Sequence, residues 1–183
     1  MQAWFAHARE LLGGNPSPRL RELAEALGPG ARVLEVGCGG GRNTRYLSGA
    51  GLEGVALDVA SEPLLLLGAC CERVRATADF HLPFASSSFD GALDSYAFTF
   101  VAERRLYAME LRRVLKPGGL LLLEFDAEPH VLDHEELEAA AREAFEGLFE
   151  FLHVRRIYHA WGCLYDEERE EVPAIAALLT PSK

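Results

Sequence analysis

An α/β fold built on a doubly wound, seven-stranded and mostly parallel sheet is predicted by three features of the sequence. Short apolar runs of strand length alternate with segments whose apolar residues recur at helical spacing. The first of these runs passes directly into a cluster of glycines and then into a helical segment. The last two runs have only a loop between them, which calls for an antiparallel carboxy-terminal strand, because parallel neighbours need a crossover of roughly a dozen residues or more. A chain of 183 residues suits one domain with a sizeable core. It reads as a single unit over 1–183, with a helical cap over 1–28 and the α/β core over 29–183.

Taken in order, residues 19–27 place Leu20, Leu23, Ala24 and Leu27 on one helical face, and Gly28, Pro29 and Gly30 stop that helix. Arg32–Val36 reads as the first strand, and a helix begins near Arg42 after the glycine turn. A second strand over 52–57 ends at Asp58. The next helix starts near Ser61, whose hydroxyl is placed to cap it, while Pro63 suits the first turn. Residues 73–78 and Phe89–Ser95 supply the third and fourth strands. Tyr107, Leu111, Val114 and Leu115 form the stripe of a helix stopped by Lys116, Pro117, Gly118 and Gly119. The unbroken apolar run 120–125 is expected of a strand buried on both faces. Asp133 and Glu136 have the spacing of a capping box, opening a helix with Leu137, Ala141, Ala144, Phe145 and Leu148 on one side. Strands over 149–161 and 172–179 close the chain, with 166–171 as a solvated turn between them.

Composition narrows the function classes. A formal charge of -10 and a pI near 5.1 repel nucleic acid and anionic membranes. The paired arginines at 104–105, 112–113 and 155–156 have acidic neighbours and read as solvated faces. No basic leader precedes an apolar core and no apolar run is long enough to span a bilayer, so a cytoplasmic location without membrane attachment is expected. The four cysteines, Cys38, Cys70, Cys71 and Cys163, show neither a C-x-x-C pair nor a zinc spacing, and read as reduced, mostly buried thiols. His130 and His134 are separated by Pro129 and by the cap at Asp133, so no metal site is expected. Arginine outnumbers lysine 16 to 2 while asparagine and glutamine nearly vanish, a bias that fits a thermophile and equally a GC-rich genome.

The chemistry should sit where the first strand meets its glycines, since ligands of open α/β sheets bind beyond the carboxyl ends of the strands at the topological switch point. Glu35, Val36, Gly37, Cys38, Gly39, Gly40 and Gly41 make that turn. Glycines let a backbone come close to a ligand, and the amino end of the following helix offers unsatisfied N–H groups. A dinucleotide fingerprint would need glycine at 42, which is Arg, and no Gly-Lys-Ser/Thr of a phosphate loop is present.

The G-x-G-x-G spacing after Glu35 resembles motif I of class I S-adenosylmethionine-dependent methyltransferases. Three further stretches carry the same resemblance: Asp58 at the end of the second strand, Asp79 and Phe80 after the third, and the helix, Pro-Gly-Gly turn and strand over 106–125. It is strong over about 29–126 and weak elsewhere. What it implies is a Rossmann-like methyltransferase fold that binds S-adenosylmethionine and releases S-adenosylhomocysteine. It implies cofactor contacts from Glu35, Gly37, Cys38, Gly39, Gly41, Arg42 and Asn43, from Asp58 and Val59, from Asp79 and Phe80, and from Ser95. Asp58 would accept from the ribose hydroxyls, Asp79 from the adenine amine, and the backbone N–H after Asp79 would serve a ring nitrogen. The cofactor's diol, amine, ammonium and carboxylate suit this set of acids and backbone donors.

The residues following the fourth strand, Asp94, Ser95, Tyr96, Ala97 and Phe98, lack the D/N-P-P-Y/F tetrad of methyltransferases that act on base or glutamine nitrogens. A small-molecule acceptor is therefore expected, in line with a resemblance of Gly41, Arg42 and Asn43 to small-molecule members. Trp4, His7, Tyr96, Phe98 and Phe100 are the pocket candidates, and Tyr96 and His130 are the candidates for proton transfer. Displacement at an activated sulfonium methyl can run on positioning alone, so no dedicated base is required for a soft anionic acceptor. The alternative is a catalytically silent cofactor-binding module that supports a partner protein. Oligomeric state is not legible in the sequence.

Overall fold

The computed structural model describes residues 15–126, 133–162 and 169–182. Its seven strands form one sheet in the order β3-β2-β1-β4-β5-β7-β6. They are β1 (Arg32–Val36), β2 (Glu53–Asp58), β3 (Glu72–Arg75), β4 (Phe89–Ser95), β5 (Leu115–Asp126), β6 (Phe149–Gly162) and β7 (Arg169–Pro181). The first five pair in parallel, while β7 runs antiparallel between β5 and β6. The helices are α1 (Leu20–Leu27), α2 (Arg42–Gly49), α3 (Ser61–Leu66), α4 (Arg104–Val114) and α5 (His134–Phe145), with a 3-10 turn over Phe98–Phe100. This is the predicted α/β class, including its antiparallel carboxy-terminal strand.

Alternation along each parallel strand feeds two apolar layers. Leu34, Val36, Val55, Leu57, Leu121, Leu123 and Phe125 face α4 and α5, whose Tyr107, Leu111, Leu137, Ala141 and Phe145 complete that core. Val33, Leu93 and Leu122 face the other way, onto Leu20 and Leu23 of α1 and Leu47 of α2. Both layers are needed because central parallel strands are apolar on both faces. On the α4 and α5 side Phe98 is fully buried, with its ring 5.0 Å from Phe125, 5.7 Å from Phe145 and 6.2 Å from Tyr107. Each such aromatic pair adds roughly 0.5–1.5 kcal/mol beyond area burial.

Several boundaries depart from the sequence reading, each for a local reason. The third strand stops at Arg75 instead of 78, because Thr77 and Asp79 bond each other: the Thr77 hydroxyl donates to Asp79 Oδ2 at 2.9 Å and accepts from the Asp79 N–H at 3.2 Å. Ser61 is inside α3 and does not cap it. The preceding Ala60 is the cap residue, and its N–H donates to Asp58 Oδ1 at 2.9 Å. Leu115 opens β5 and does not close α4. Lys116 to Gly119 stay within β5 as an irregularity: Phe89 pairs with Leu115 and Gly91 already with Leu120. Residues 169–171, expected within a solvated turn over 166–171, are instead paired in β7 with 160–162. Cys38 is buried, but Cys70 is exposed and Cys71 half-buried, contrary to the expectation of mostly buried cysteines. The predicted capping box is present in full: Asp133 accepts from the Glu135 and Glu136 N–H groups at 2.8 and 3.0 Å, and Glu136 accepts from the Asp133 N–H at 2.9 Å. Among the described residues no helix is long and apolar enough to cross a membrane.

Candidate active site

The sheet order reverses direction at β1, between β2 and β4, and the glycine turn leaves β1 at that point. Gly37, Gly39 and Gly41 all adopt positive φ, at 68°, 48° and 74°. The N–H groups of Gly37 and Cys38 both donate to the carbonyl of Leu57 in β2, at 2.8 and 3.1 Å, which folds the turn across the end of the sheet. A Cβ on Gly37 would lie 2.7 Å from that of Ala97, and one on Gly41 would lie 2.2 Å from Leu67 Cδ2. Glycine is required here by close approach as well as by φ.

Asp58, 4% exposed, organises the far side of the turn. Its Oδ2 accepts from the Gly39 N–H at 3.0 Å and its Oδ1 from the Ala60 N–H at 2.9 Å. Each carboxylate oxygen has a second lone pair, so further donors can be accepted. Cys38 is 4% exposed with its sulfur 3.9 Å from Asp58 Oδ2, and burial followed by the charges of Glu35 and Asp58 holds its thiol far above the usual thiol range. What Cys38 offers at the turn is backbone.

Glu35 lies beneath the turn. Asn43 Nδ2 donates to its Oε1 at 3.1 Å, and the Thr44 hydroxyl donates to its Oε2. Burial pushes Glu35 up to about 7, against the opposing pull of these donors. Its carboxyl therefore braces the first turn of α2, which has no side-chain cap of its own. Asn43, expected to reach a ligand, is 2% exposed and turned inward, with its Oδ1 accepting from the Ser17 N–H at 2.8 Å.

Across the switch point Arg42 and Ser95 meet: Arg42 Nη2 donates to Ser95 Oγ at 3.0 Å, and Ser95 Oγ donates to Glu124 Oε2 at 2.9 Å. Ser17 Oγ donates to Glu124 Oε1 at 2.6 Å, and Arg42 Nη1 donates to the Asn15 carbonyl at 3.1 Å. The segment before α1 is thereby tied down over the carboxyl ends of β4 and β5. Thr44, Ser17 and Glu124 were not singled out in the sequence. Thr44 had a readable signal, a short hydroxyl side chain in the first turn of a helix that starts on glycine. The other two meet only through long-range folding.

Tyr96 follows β4 with φ 75°, its N–H donating to the Glu124 carbonyl at 2.7 Å. Burial, then the charges of Glu124 and Asp126, push its phenol far above the ordinary tyrosine range, so it is a neutral hydroxyl at physiological pH. Asp94, fully buried just before it, accepts from the Ala97 and Phe98 N–H groups at 2.8 and 3.0 Å and so fixes the turn on which Tyr96 rides. Phe98 is corrected here: it belongs to the aromatic core and cannot line a substrate pocket. Phe100 is exposed, as are Val59 after β2 and Phe80 after β3. Asp79 Oδ1 accepts from the Ala102 N–H at 3.2 Å, linking the loop after β3 to the segment after β4. Trp4, His7 and His130 lie outside the described residues. The arrangement offers positive-φ glycine backbone, carboxylates at the ends of β2 and β3, and exposed apolar side chains beside them, a set suited to a nucleoside-bearing ligand.

Comparison with known proteins agrees with this geometry. Residues 34–123, spanning β1 to most of β5, match a family described as a methyltransferase domain. The chain is 39% identical over 111 residues to a demethylmenaquinone methyltransferase of Renibacterium salmoninarum, covering 56% of this chain and 45% of that protein. It is 33% identical over 116 residues to the protein of the same name from Mycobacterium tuberculosis, covering 62% of this chain and 49% of that one. The chain thus spans about half the length of these curated relatives. Among solved structures, a SAM-dependent methyltransferase from Methanosarcina mazei superposes with a TM-score of 0.69 at 20% identity, covering 91% of this chain and 98% of the other. The [4+2]-cyclase SpnF superposes with a TM-score of 0.69 at 18% identity, covering 88% and 78%. A fold shared with a cyclase does not choose a reaction.

Proposed function

We propose that this chain is a class I S-adenosylmethionine-dependent methyltransferase, which binds S-adenosylmethionine over its glycine turn and transfers the methyl group in line to a small-molecule acceptor. The observation that carries the reading is the joint placement of the 37–41 turn, Asp58 and Asp79 after three neighbouring parallel strands. Asp58 and Asp79 would hold the ribose and the adenine amine, with Val59 and Phe80 beside them. The backbone of Gly37, Cys38, Gly39 and Gly41 and the amino end of α2 at Arg42 would take the amino-acid end. Glu35 and Asn43 act from below, by holding α2 against the turn, and Ser95 acts by holding Arg42.

When bound, the cofactor supplies a sulfonium methyl already activated for displacement. The chain's own work is then to orient and to exclude water. Tyr96, fixed by Asp94 and Glu124 at the exit of β4, stands where an acceptor would approach, and its neutral phenol can orient an acceptor by hydrogen bonding without taking a proton. A small acceptor is supported by the net charge of -10 and by relatives named for demethylmenaquinone. Titration calorimetry tests the premise: S-adenosylmethionine and S-adenosylhomocysteine should bind and NAD should not, and comparable NAD affinity overturns the reading. Cofactor binding without turnover of any small acceptor would leave the silent-module alternative in its place.

A further inference from the structure

Arg19, the residue that leads into α1, carries a guanidinium with few of its hydrogen bonds made. Its side chain is 20% exposed, and among the described residues that side chain makes one hydrogen bond, from Nη1 to Glu124 Oε1 at 3.5 Å. An ordinary N–H···O bond spans about 2.7–3.2 Å, so this one is weak. Glu124 is committed elsewhere: Ser17 Oγ donates to its Oε1 at 2.6 Å and Ser95 Oγ to its Oε2 at 2.9 Å. Arg19 Nε is buried and has no partner at all. An arginine cannot give up its charge, and it presents its N–H donors in a rigid fork. A fork left this empty at the edge of a folded interior points to a missing anion.

Glu124 is on β5, paired with Ser95 of β4, and β4 stands between it and β1 with its glycine turn. At about 4.8 Å per strand, the partner of Arg19 lies roughly 10 Å from that turn, where the Tyr96 N–H meets the Glu124 carbonyl. Arg42 adjoins the turn itself and is held by Ser95 and by the Asn15 carbonyl. The two guanidinium groups therefore serve two ends of one site, Arg42 the cofactor's amino-acid end and Arg19 the space beyond the methyl group. A chain of net charge -10 repels an anion in general, and these two cations gather at the strand ends against that trend. Asp126, two residues beyond Glu124 on the same face of β5, is turned to the Thr99 hydroxyl at 3.0 Å. Beside these two carboxylates a single negative charge fits better than a doubly charged phosphate.

We propose that Arg19 binds the methyl acceptor, and that the acceptor carries a carboxylate. Two carboxylate oxygens match two parallel N–H groups of the fork, which gives Arg19 the bidentate pairing that Glu124 withholds. Held in this way the acceptor has a fixed orientation, on which an in-line displacement without a dedicated base depends. Assigning this end of the site to the acceptor rests on the cofactor reading given above.

Benzoate is the probe and benzamide its neutral control, each titrated calorimetrically into the full chain with and without saturating S-adenosylhomocysteine. Benzoate should bind with a preference of about tenfold or more over benzamide, roughly 1.4 kcal/mol. Arg19→Gln should lose that preference while keeping the dissociation constant for S-adenosylhomocysteine, which also certifies its fold. Benzoate that does not bind the wild type, or that binds Arg19→Gln as tightly, overturns the proposal. A folded Arg19→Gln whose affinity for S-adenosylhomocysteine falls about tenfold or more overturns it as well, because the guanidinium then serves the cofactor's own carboxylate. Should Arg19→Gln not fold, Arg19→Lys decides: a point charge does not replace the fork, so benzoate affinity equal to the parent's contradicts the bidentate pairing. If the wild type binds no S-adenosylhomocysteine the cofactor reading fails, and the benzoate titrations of the free chain still decide the anion site.

Discussion

The Tyr107 hydroxyl donates to Oδ2 of Asp94 across 2.6 Å, joining α4 to the end of β4 where neither side chain reaches solvent. The other oxygen of Asp94 accepts the Ala97 and Phe98 N–H groups, so one carboxyl links a helix, a strand and the turn that carries Tyr96. Tyr107→Phe leaves Asp94 short of one donor in a dry site. Its expected cost is about 1 to 3 kcal/mol of stability, read as a lower denaturation midpoint at unchanged slope. A variant as stable as the parent would show that Asp94 finds a substitute partner.

Asp94 and Glu35 also set a pH dependence. Burial raises Asp94 from 3.8 and Glu35 from 4.5, each to about 7. Each native carboxyl therefore keeps a proton that the unfolded chain releases, and its contribution to stability is complete below about 4, is lost as pH rises to about 7, and is flat above. Unfolding free energies of wild type and Asp94→Asn should differ by an amount that moves in the variant's favour across that window. A difference that holds constant, or moves the other way, contradicts the assignment.

Gly37→Ala tests the turn by steric means. Its new methyl meets Ala97 at 2.7 Å on a backbone at φ 68°, whereas Gly28, at φ 77°, has open space around it. Both variants should lose about 1 to 2 kcal/mol of stability from the left-handed backbone. Only Gly37→Ala should also weaken S-adenosylhomocysteine binding, by about tenfold or more. Equal affinities in the two variants would separate the turn from the cofactor.

Asp58→Ala should cost about 2 to 4 kcal/mol of cofactor affinity through two lost charge-assisted hydrogen bonds. Because Asp58 also accepts the Gly39 and Ala60 N–H groups, the variant should melt earlier as well, a cost that the sequence alone does not reveal. Calorimetry at a temperature where the variant is folded separates the two effects, and an unchanged dissociation constant there would place the ribose elsewhere.

Tyr96→Phe should leave turnover within about tenfold at saturating acceptor, a barrier change of roughly 1.4 kcal/mol or less, because a phenol this reluctant to ionise is not a base. A thousandfold loss with cofactor affinity intact would instead identify an acid-base enzyme.

The elements that local chemistry specifies were legible in the chain. Arg32–Val36 and Phe89–Ser95 are apolar runs with turn signals at their ends, and Asp133 with Glu136 is a self-contained cap; all three occur as read. The glycine spacing after Glu35 located the tight turn at the end of β1, because positive φ and close backbone approach leave few alternatives to glycine. What the sequence could not decide was the direction in which side chains at the strand ends point. Phe98 and Phe100 are two residues apart in similar company, yet one fills the aromatic core and the other faces solvent, since the Asp94 carboxyl anchors the start of the 3-10 turn that carries both. Asn43 looked available to a ligand until Glu35 and Ser17, distant in sequence, claimed both ends of its amide. Spacing along the chain fixes which backbone conformations are affordable, and so it located the turn. Partners of buried polar groups are chosen by desolvation, which exists only once the sheet and its two helical layers have closed around them.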